Sequence, residues 1–294
     1  MTDAASTRYQ QRMRRVFDHI HAHLHHELSV EQLSQVAHFS KHHFHRQFSA
    51  YFRVSVGRFI QLLRLRRASY QLAFRKQMPI IEIATDASFE NPESFSHAFK
   101  KTFGQTPSQF RKQPEWKLWH EKYAVLHRGA RSPMNTDQCD MQVTIVDFKD
   151  TRVAVLEHRG TPELINASIQ TFIAWRKQNK LTPQVSETYN IIYDDPATTP
   201  PEQFRLDICA SIHADIKPNS LGVIAKTIPG GRCAVLRHIG SDDDIRSSLH
   251  YLYKQWLPNS GEELRDFPCF FHRVNLFPDI PEHEIITDIY LPLK

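Results

Sequence analysis

Two stripes of phenylalanine, each repeating every four residues, constrain this chain more than any other feature. Phe44, Phe48 and Phe52 lie in KHHFHRQFSAYF, and Phe95, Phe99 and Phe103 lie in PESFSHAFKKTF. A four-residue repeat gathers the rings on one side of an α-helix and demands a core to bury them, so each stripe predicts a short helix with a polar outer face. A shorter apolar helix and a tight turn precede each one. In LSVEQLSQVAHFS, Ser29 and Gln32 are spaced as a capping box, Leu33, Val36 and Ala37 form an inner face, and Ser40 caps the striped helix. In MPIIEIATDASFEN, Ile80, Ile81, Ile83 and Ala84 form the first helix, residues 87–89 turn, and Asn91 caps a helix that Pro92 opens. The two caps are 51 residues apart. Between them residues 56–74 read as one connector helix bearing Arg58, Arg64, Arg66 and Arg67, and residues 8–26 read as a leading amphipathic helix.

Two short helices joined by a tight turn make a helix-turn-helix, so the repeat predicts two such motifs on one connector. Charge agrees with a polyanionic partner. Residues 1–130 hold 20 Lys/Arg against 10 Asp/Glu, whereas residues 131–294 hold 17 against 22. Twelve of the 18 histidines also lie in the first 130 residues, so a falling pH enlarges that positive charge. If both motifs meet one face of a duplex, they are expected about one helical turn, roughly 34 Å, apart in successive major grooves.

Within that geometry the outer face of each striped helix supplies the readers. Arg46 is the leading base reader, because a guanidinium matches the paired acceptors of guanine, and Glu93 can accept from cytosine or cap its own helix. His42, His45, Ser96 and His97 are further base-reading candidates. Lys41, Lys100, Lys101, Arg111 and Lys112 are the phosphate candidates.

LSVEQLSQVAHFSKHHFHRQF and IIEIATDASFENPESFSHAFKKTFGQTPSQFR resemble the DNA-binding domain of the AraC/XylS family of transcription factors, over about residues 10–114. That resemblance implies seven helices and two motifs, and it places His42, His45, Arg46, Pro92, Glu93, Ser96 and His97 at groove-facing positions. The sequence departs from the family pattern at His38, Ser88 and Arg53, where glycine is usual, and a non-glycine residue in a left-handed turn carries strain.

From Met141 onward the rhythm becomes alternating, as in MQVTIVDF and RVAVLEHRG, which predicts strands. RVAVLEHRG at 152–160 returns as RCAVLRHIG at 232–240, each preceded by an apolar strand and followed by a predicted helix, 164–178 and 243–256. Such a duplication predicts two similar α+β halves with a ligand cleft at their seam. RVAVLEHRG, YNIIYDDPATTPPEQFRLDICASI and PEHEIITDIYLPLK resemble the GyrI-like effector-binding domain that several AraC-type regulators carry, over about residues 140–294. The resemblance implies a small-molecule receptor whose cleft is lined by aromatics with an acidic group. The effector candidates are Glu157, Trp175, Tyr189, Tyr193, Asp288 and Tyr290, an arrangement suited to an apolar or cationic molecule. Asp207 matches the family motif with a structural role left open.

The expected fold class is therefore multidomain. An all-α double helix-turn-helix DNA-binding domain (8–114) is followed by a closing helix and linker (115–139) and a duplicated α+β GyrI-like domain with an antiparallel sheet (140–294). The expected function is sequence-specific transcription regulation tuned by a small molecule, with promoter DNA, the effector and RNA polymerase as partners.

Other chemistry finds little support in the sequence. Cys139, Cys209, Cys233 and Cys269 are far apart, so ordinary thiols are expected rather than a metal site or disulfides. No nucleophile-elbow, zinc-protease, dinucleotide or P-loop motif occurs, so neither an enzyme nor a cofactor is expected. Glu157 and His158, adjacent in a strand, point to opposite faces. A fused small-molecule enzyme and a protein-binding domain are the alternatives for the second half. No apolar run of about twenty residues predicts a membrane span, and no secretory signal is expected, which leaves the cytoplasm as the default.

Overall fold

A computed structural model describes residues 2–130 and 141–294, with side-chain surroundings for 8–123 and 141–294. Cys139 and the last residues of the expected linker lie outside the described residues. The chain divides into two compact units, Met1–Asn135 and Thr136–Lys294.

The first unit is helical: α1 (Thr2–Ala22), α2 (Val30–Val36), α3 (Lys41–Phe52), α4 (Val56–Phe74), α5 (Ile80–Asp86), α6 (Pro92–Phe103), α7 (Pro107–Lys112) and α8 (Trp116–Ala130). The caps are those expected. The Ser29 hydroxyl accepts from the Gln32 amide while Gln32 accepts from the Ser29 amide, and the Asn91 side chain accepts from the Ser94 amide at 2.8 Å. All six stripe phenylalanines are buried. The first stripe packs against Phe59 of α4, with Phe48 and Phe59 ring centroids 5.5 Å apart. The second meets Phe110 of α7, 5.4 Å from Phe99, and Trp119 of α8, 5.9 Å from Phe103. Trp119 is fully inside, and its indole N–H is satisfied by the Ser69 hydroxyl of α4 at 2.9 Å.

Two expectations shift. The leading helix, expected over residues 8–26, spans Thr2–Ala22; beyond it Arg64 of α4 takes the Leu24 and His26 carbonyls at 3.0 and 2.7 Å and holds that stretch as a turn. Ile81 faces solvent, which leaves Ile83, Ala84 and Ala87 as the buried face of α5 and its turn.

The second unit is one eight-stranded antiparallel sheet. Its strands are β1 (Val143–Phe148), β2 (Thr151–Arg159), β3 (Thr188–Ile192), β4 (Arg205–Ser211), β5 (Ile224–Ile228), β6 (Gly231–Ile239), β7 (Phe270–Arg273) and β8 (Ile286–Pro292). After β2 comes α9 (Ile165–Gln178). After β6 come α10 (Ile245–Tyr251), a wide π turn at Leu252–Trp256 and α11 (Leu257–Ser260). The strand order is β1-β6-β8-β7-β3-β4-β2-β5. Each repeat thus contributes three strands to its own half and one edge strand to the other half.

That exchange forces the sheet to curl. Only Lys149 and Asp150 separate β1 from β2, yet these strands stand near opposite ends of the sheet. The equivalent link, Pro229 and Gly230, joins β5 to β6, and the two links touch. The Asp150 carboxylate accepts from the Gly230 amide at 2.7 Å, and a Cβ on Gly230 would sit 2.8 Å from the Asp150 nitrogen and the Phe148 carbonyl. Glycine is required there for close approach.

Alternation then sorts the side chains. Ala154, Ile208 and Ala210 face α9 and pack with Phe172 and Trp175, while Ala234, Leu236, Ile289 and Leu291 pack with Leu252 at the π turn. On the inner face of the curl Val153, Val155, Tyr189, Ile191, Cys209, Cys233 and Phe270 form a third cluster. The duplication extends to hydrogen bonds on the helix side. His158 Nδ1 meets the Ser168 hydroxyl at 2.9 Å and Nε2 the Thr161 carbonyl, and His238 repeats this with Ser248 at 2.9 Å and the Ser241 carbonyl. With Nε2–H donating to a carbonyl, Nδ1 accepts from the serine, and the ring clips the helix to the end of its strand.

Candidate functional site

In the first unit the turns before α3 and α6 are built alike. His38 (φ 52°) and Ser88 (φ 58°) both take the left-handed conformation, and the next amides, of Phe39 and Phe89, close on the Ser34 and Ala84 carbonyls at 3.0 Å. Arg53, after α3, is also left-handed (φ 59°). These are the three positions at which the sequence departs from the glycine of the pattern it resembles, and a left-handed non-glycine residue costs about 1 kcal/mol. The turns aim two recognition helices whose rings are buried and whose opposite faces are polar.

On those faces Arg46, His42, His45, His97, Lys100, Lys101 and Lys112 are exposed, and their side chains make no hydrogen bond or ion pair among the described residues. Glu93 is exposed at the start of α6, where a carboxylate suits the helix dipole, and Pro92 and Ser96 are half-buried. Two phosphate candidates are engaged inside the unit. Lys41 pairs with Glu31 of α2, and the Arg111 guanidinium donates to the Met78 carbonyl at 2.7 Å, which ties α7 to the turn before α5.

The sequence reading did not single out Arg58 on α4. Among the described residues its guanidinium donates only to neutral acceptors, Gln61 Oε1 at 2.6 Å and Thr102 Oγ1 at 3.2 Å, and burial lowers its pKa. It lines a cavity of about 370 Å³ together with Ser94, His97 and Lys101 of α6. A half-buried cation without a carboxylate, beside a lysine and a histidine, presents positive potential to a backbone phosphate.

In the second unit five of the six effector candidates stand on, or just beyond, the inner-face strands, and one does not. Tyr189 pairs in register with His272, His272 with Asp288, and Asp288 with Arg237, while Glu157 stands opposite Asp207. Phe270 and Tyr290 rings stack at 4.9 Å, and Phe148 of β1 reaches both Tyr290 and Tyr189. Trp175, by contrast, lies on the other face of the sheet, stacked on Phe172 in the core beneath α9. Glu157 and His158 do diverge, one to the inner face and one to its helix clip.

The carboxylates of this inner face are paired. Lys226 of β5 places its ammonium 2.6 Å from Glu157 and 2.7 Å from Asp207, and the Tyr193 hydroxyl donates to the same Asp207 oxygen at 2.9 Å. Asp288 takes a two-pronged Arg237 contact at 2.7 and 2.8 Å, and Tyr189 donates to Glu187 at 2.8 Å. Burial opposes the Lys226 charge, but its bonds to Asp207 and Glu157 outweigh that and raise its pKa; the same lysine lowers that of Glu157. Burial, followed by the adjoining Asp207 charge, raises the Tyr193 hydroxyl, and burial keeps the His272 imidazole neutral to lower pH than usual. Lys226, Arg237 and His272 were missed as site residues. The offset between repeats held the signal, since it aligns Arg237 with Glu157 and Lys226 with Val146.

Among the described residues no cluster of three or more His, Cys, Asp or Glu is placed to hold a metal, and no helix is long and apolar enough to cross a membrane. Residues 141–294, more than half of the chain, match the GyrI-like small molecule binding domain. The chain belongs to the GyrI-like family. Residues 33–113 match a helix-turn-helix domain. The chain is 46% identical to "Probable transcriptional regulator YgiV" of Escherichia coli K12 across 154 residues, which are 52% of this chain and 96% of that protein. It is 30% identical over 133 residues to the "Right origin-binding protein" of the same organism, covering 45% of this chain and 43% of that one. Among solved structures, the EcmrR C-terminal domain aligns with a TM-score of 0.44 at 17% identity, over 53% of this chain and 98% of that one. The chain thus joins a helix-turn-helix DNA-binding region to a GyrI-like small-molecule-binding domain.

Proposed function

We propose that this protein is a sequence-specific transcriptional regulator of the AraC/XylS type, whose grip on a promoter duplex changes when a small molecule enters the inner cleft of its GyrI-like domain. One observation carries the reading: two matched turns aim two helices whose exposed Arg46, His42, His45, His97, Lys100 and Lys101 side chains have no partner among the described residues. Unpaired cations on a repeated recognition surface call for a repeated anionic partner, and duplex DNA offers one every helical turn. A relative named as a probable transcriptional regulator supports a regulatory role.

In this reading residues 8–114 bind DNA, residues 140–294 bind the effector, and Arg46 reads bases while Lys100, Lys101 and Arg58 hold phosphates. His42, His45, Pro92, Glu93, Ser96 and His97 complete the groove-facing set. Tyr189, Tyr193, Tyr290, Glu157 and Asp288 face an apolar or cationic effector, and RNA polymerase is the partner that reads out the bound state in the cytoplasm. The test begins with selection of a duplex from a random pool by the full-length protein. A small-molecule panel is then screened for compounds that raise the melting temperature and change affinity for that duplex. A compound that does both supports the coupling. Selection of no preferred sequence contradicts the regulator reading.

A further inference from the structure

The two halves of the GyrI-like domain differ most where they should match if both served a ligand. Asp207 and Asp288 occupy equivalent places on β4 and β8, and each is nearly buried, its side chain 4% and 10% exposed. In the second half the neutralising Arg237 is 57% exposed and approaches from the rim. In the first half the cation is Lys226, only 28% exposed, and it comes from the edge strand β5 that the other repeat lends. Its counterpart on β1, Val146, carries no charge.

The path of the lysine matters as much as its charge. Lys226 is opposite Val153 in the β2–β5 register, yet its ammonium bonds Glu157, four residues and roughly 13 Å further along β2. The Lys226 and Glu157 side chains therefore lean toward each other along the inner face, and the ammonium ends between two carboxylates, with the Tyr193 ring 5.9 Å away. Two carboxylates and an aromatic face are what an organic cation needs. Here a cation on a four-carbon apolar stem already bridges both carboxylates, while Arg159 holds the other Glu157 oxygen at 3.1 Å and Arg205, half-exposed, lies 5.4 Å from the same ring.

We infer that Lys226 is a tethered occupant of the effector cleft: it fills the cation position of the first half and determines specificity by competing with any cationic effector. This rests on the reading of the inner cleft as the effector site. A ligand cation enters the Glu157–Asp207–Tyr193 position only when Lys226 swings out, so the lysine weakens cation binding and ties occupancy to movement of edge strand β5.

The probe is tetraphenylphosphonium, an apolar cation with no hydrogen-bond donor, titrated calorimetrically against the full chain. Lys226→Met is expected to bind it at least tenfold more tightly than the unmodified protein. Adding Glu157→Gln to Lys226→Met should remove most of the gain. Arg152→Met, which breaks the exposed Arg152–Asp215 pair, should leave affinity unchanged. If circular dichroism shows Lys226→Met unfolded, Lys226→Gln keeps a donor for Asp207 without the charge and is read the same way. Equal or weaker binding by the folded variant, with the unmodified protein binding, overturns the role of Lys226 and leaves the cleft reading standing. No binding by any folded variant overturns the inference together with a cationic effector.

Discussion

Both units are built by repetition, but they keep different things. In the helical unit the repeat preserves the core and the turns, with matched phenylalanine stripes and matched left-handed residues at His38 and Ser88, and both recognition helices expose basic side chains even though Glu93 stands where α3 has His42. In the GyrI-like unit it preserves the helix side and the buried Asp207 and Asp288, but not the charges around them. His158–Ser168 and His238–Ser248 are near copies, whereas on the inner face Glu157 answers to Arg237 and Lys226 to Val146. A surface that meets a periodic ligand benefits from keeping both copies alike. A cleft enclosing one small molecule has no such need, and its two sides are free to differ.

Four experiments probe that contrast. The largest effect is expected from Phe48→Ala and Phe99→Ala, each emptying a fully buried ring position, at about 3–5 kcal/mol apiece in chemical denaturation. Costs differing by more than about 2 kcal/mol, beyond the ordinary spread for such sites, would show that the two motifs are not equivalent in their cores.

Next come His158→Ala and His238→Ala, each leaving a serine hydroxyl without its acceptor at about 1–3 kcal/mol. Matched losses support two equal clips, and a loss confined to one would break the internal symmetry.

The third concerns pH. Burial lowers the pKa of His158 and His272 in the folded state, so the unfolded chain, near 6.5, takes up protons that the folded one refuses. Their contribution is complete above about pH 6.5 and is lost as pH falls toward the folded values. The melting temperature should therefore drop between pH 7.5 and 5.5, and less steeply in His158→Ala. An unchanged slope in that variant would contradict a neutral, buried clip.

Smallest, and of opposite sign, are His38→Gly and Ser88→Gly, each relieving a left-handed backbone for a gain of up to about 1 kcal/mol. A loss instead would mean that these side chains hold their turns.

The sequence made the helical unit legible because helix periodicity, caps and turns are local. Ser29, Asn91 and the stripes announce their own geometry, and the outer faces follow by subtraction. Arg58 and Arg111 were less legible because their surroundings are tertiary: one lines a cavity against α6, and the other is fastened to the Met78 carbonyl. In the GyrI-like unit the duplication was readable, but the exchange of β1 and β5 was not, since a two-residue link ordinarily signals a hairpin. That exchange carries Lys226 to Glu157 and Asp207. Trp175 admitted a core position at least as readily as a ligand-facing one, and α9 places it in the core.

The account turns on whether the exposed recognition faces read DNA. Competition titrations of the unmodified protein, Arg46→Ala and Lys100→Ala against a selected and a scrambled duplex at fixed salt test this directly. The prediction is that Arg46→Ala loses about 1–3 kcal/mol on the selected duplex and much less on the scrambled one, while Lys100→Ala weakens both alike. Equal losses on both duplexes for Arg46→Ala, or no discrimination by the unmodified protein, would contradict it.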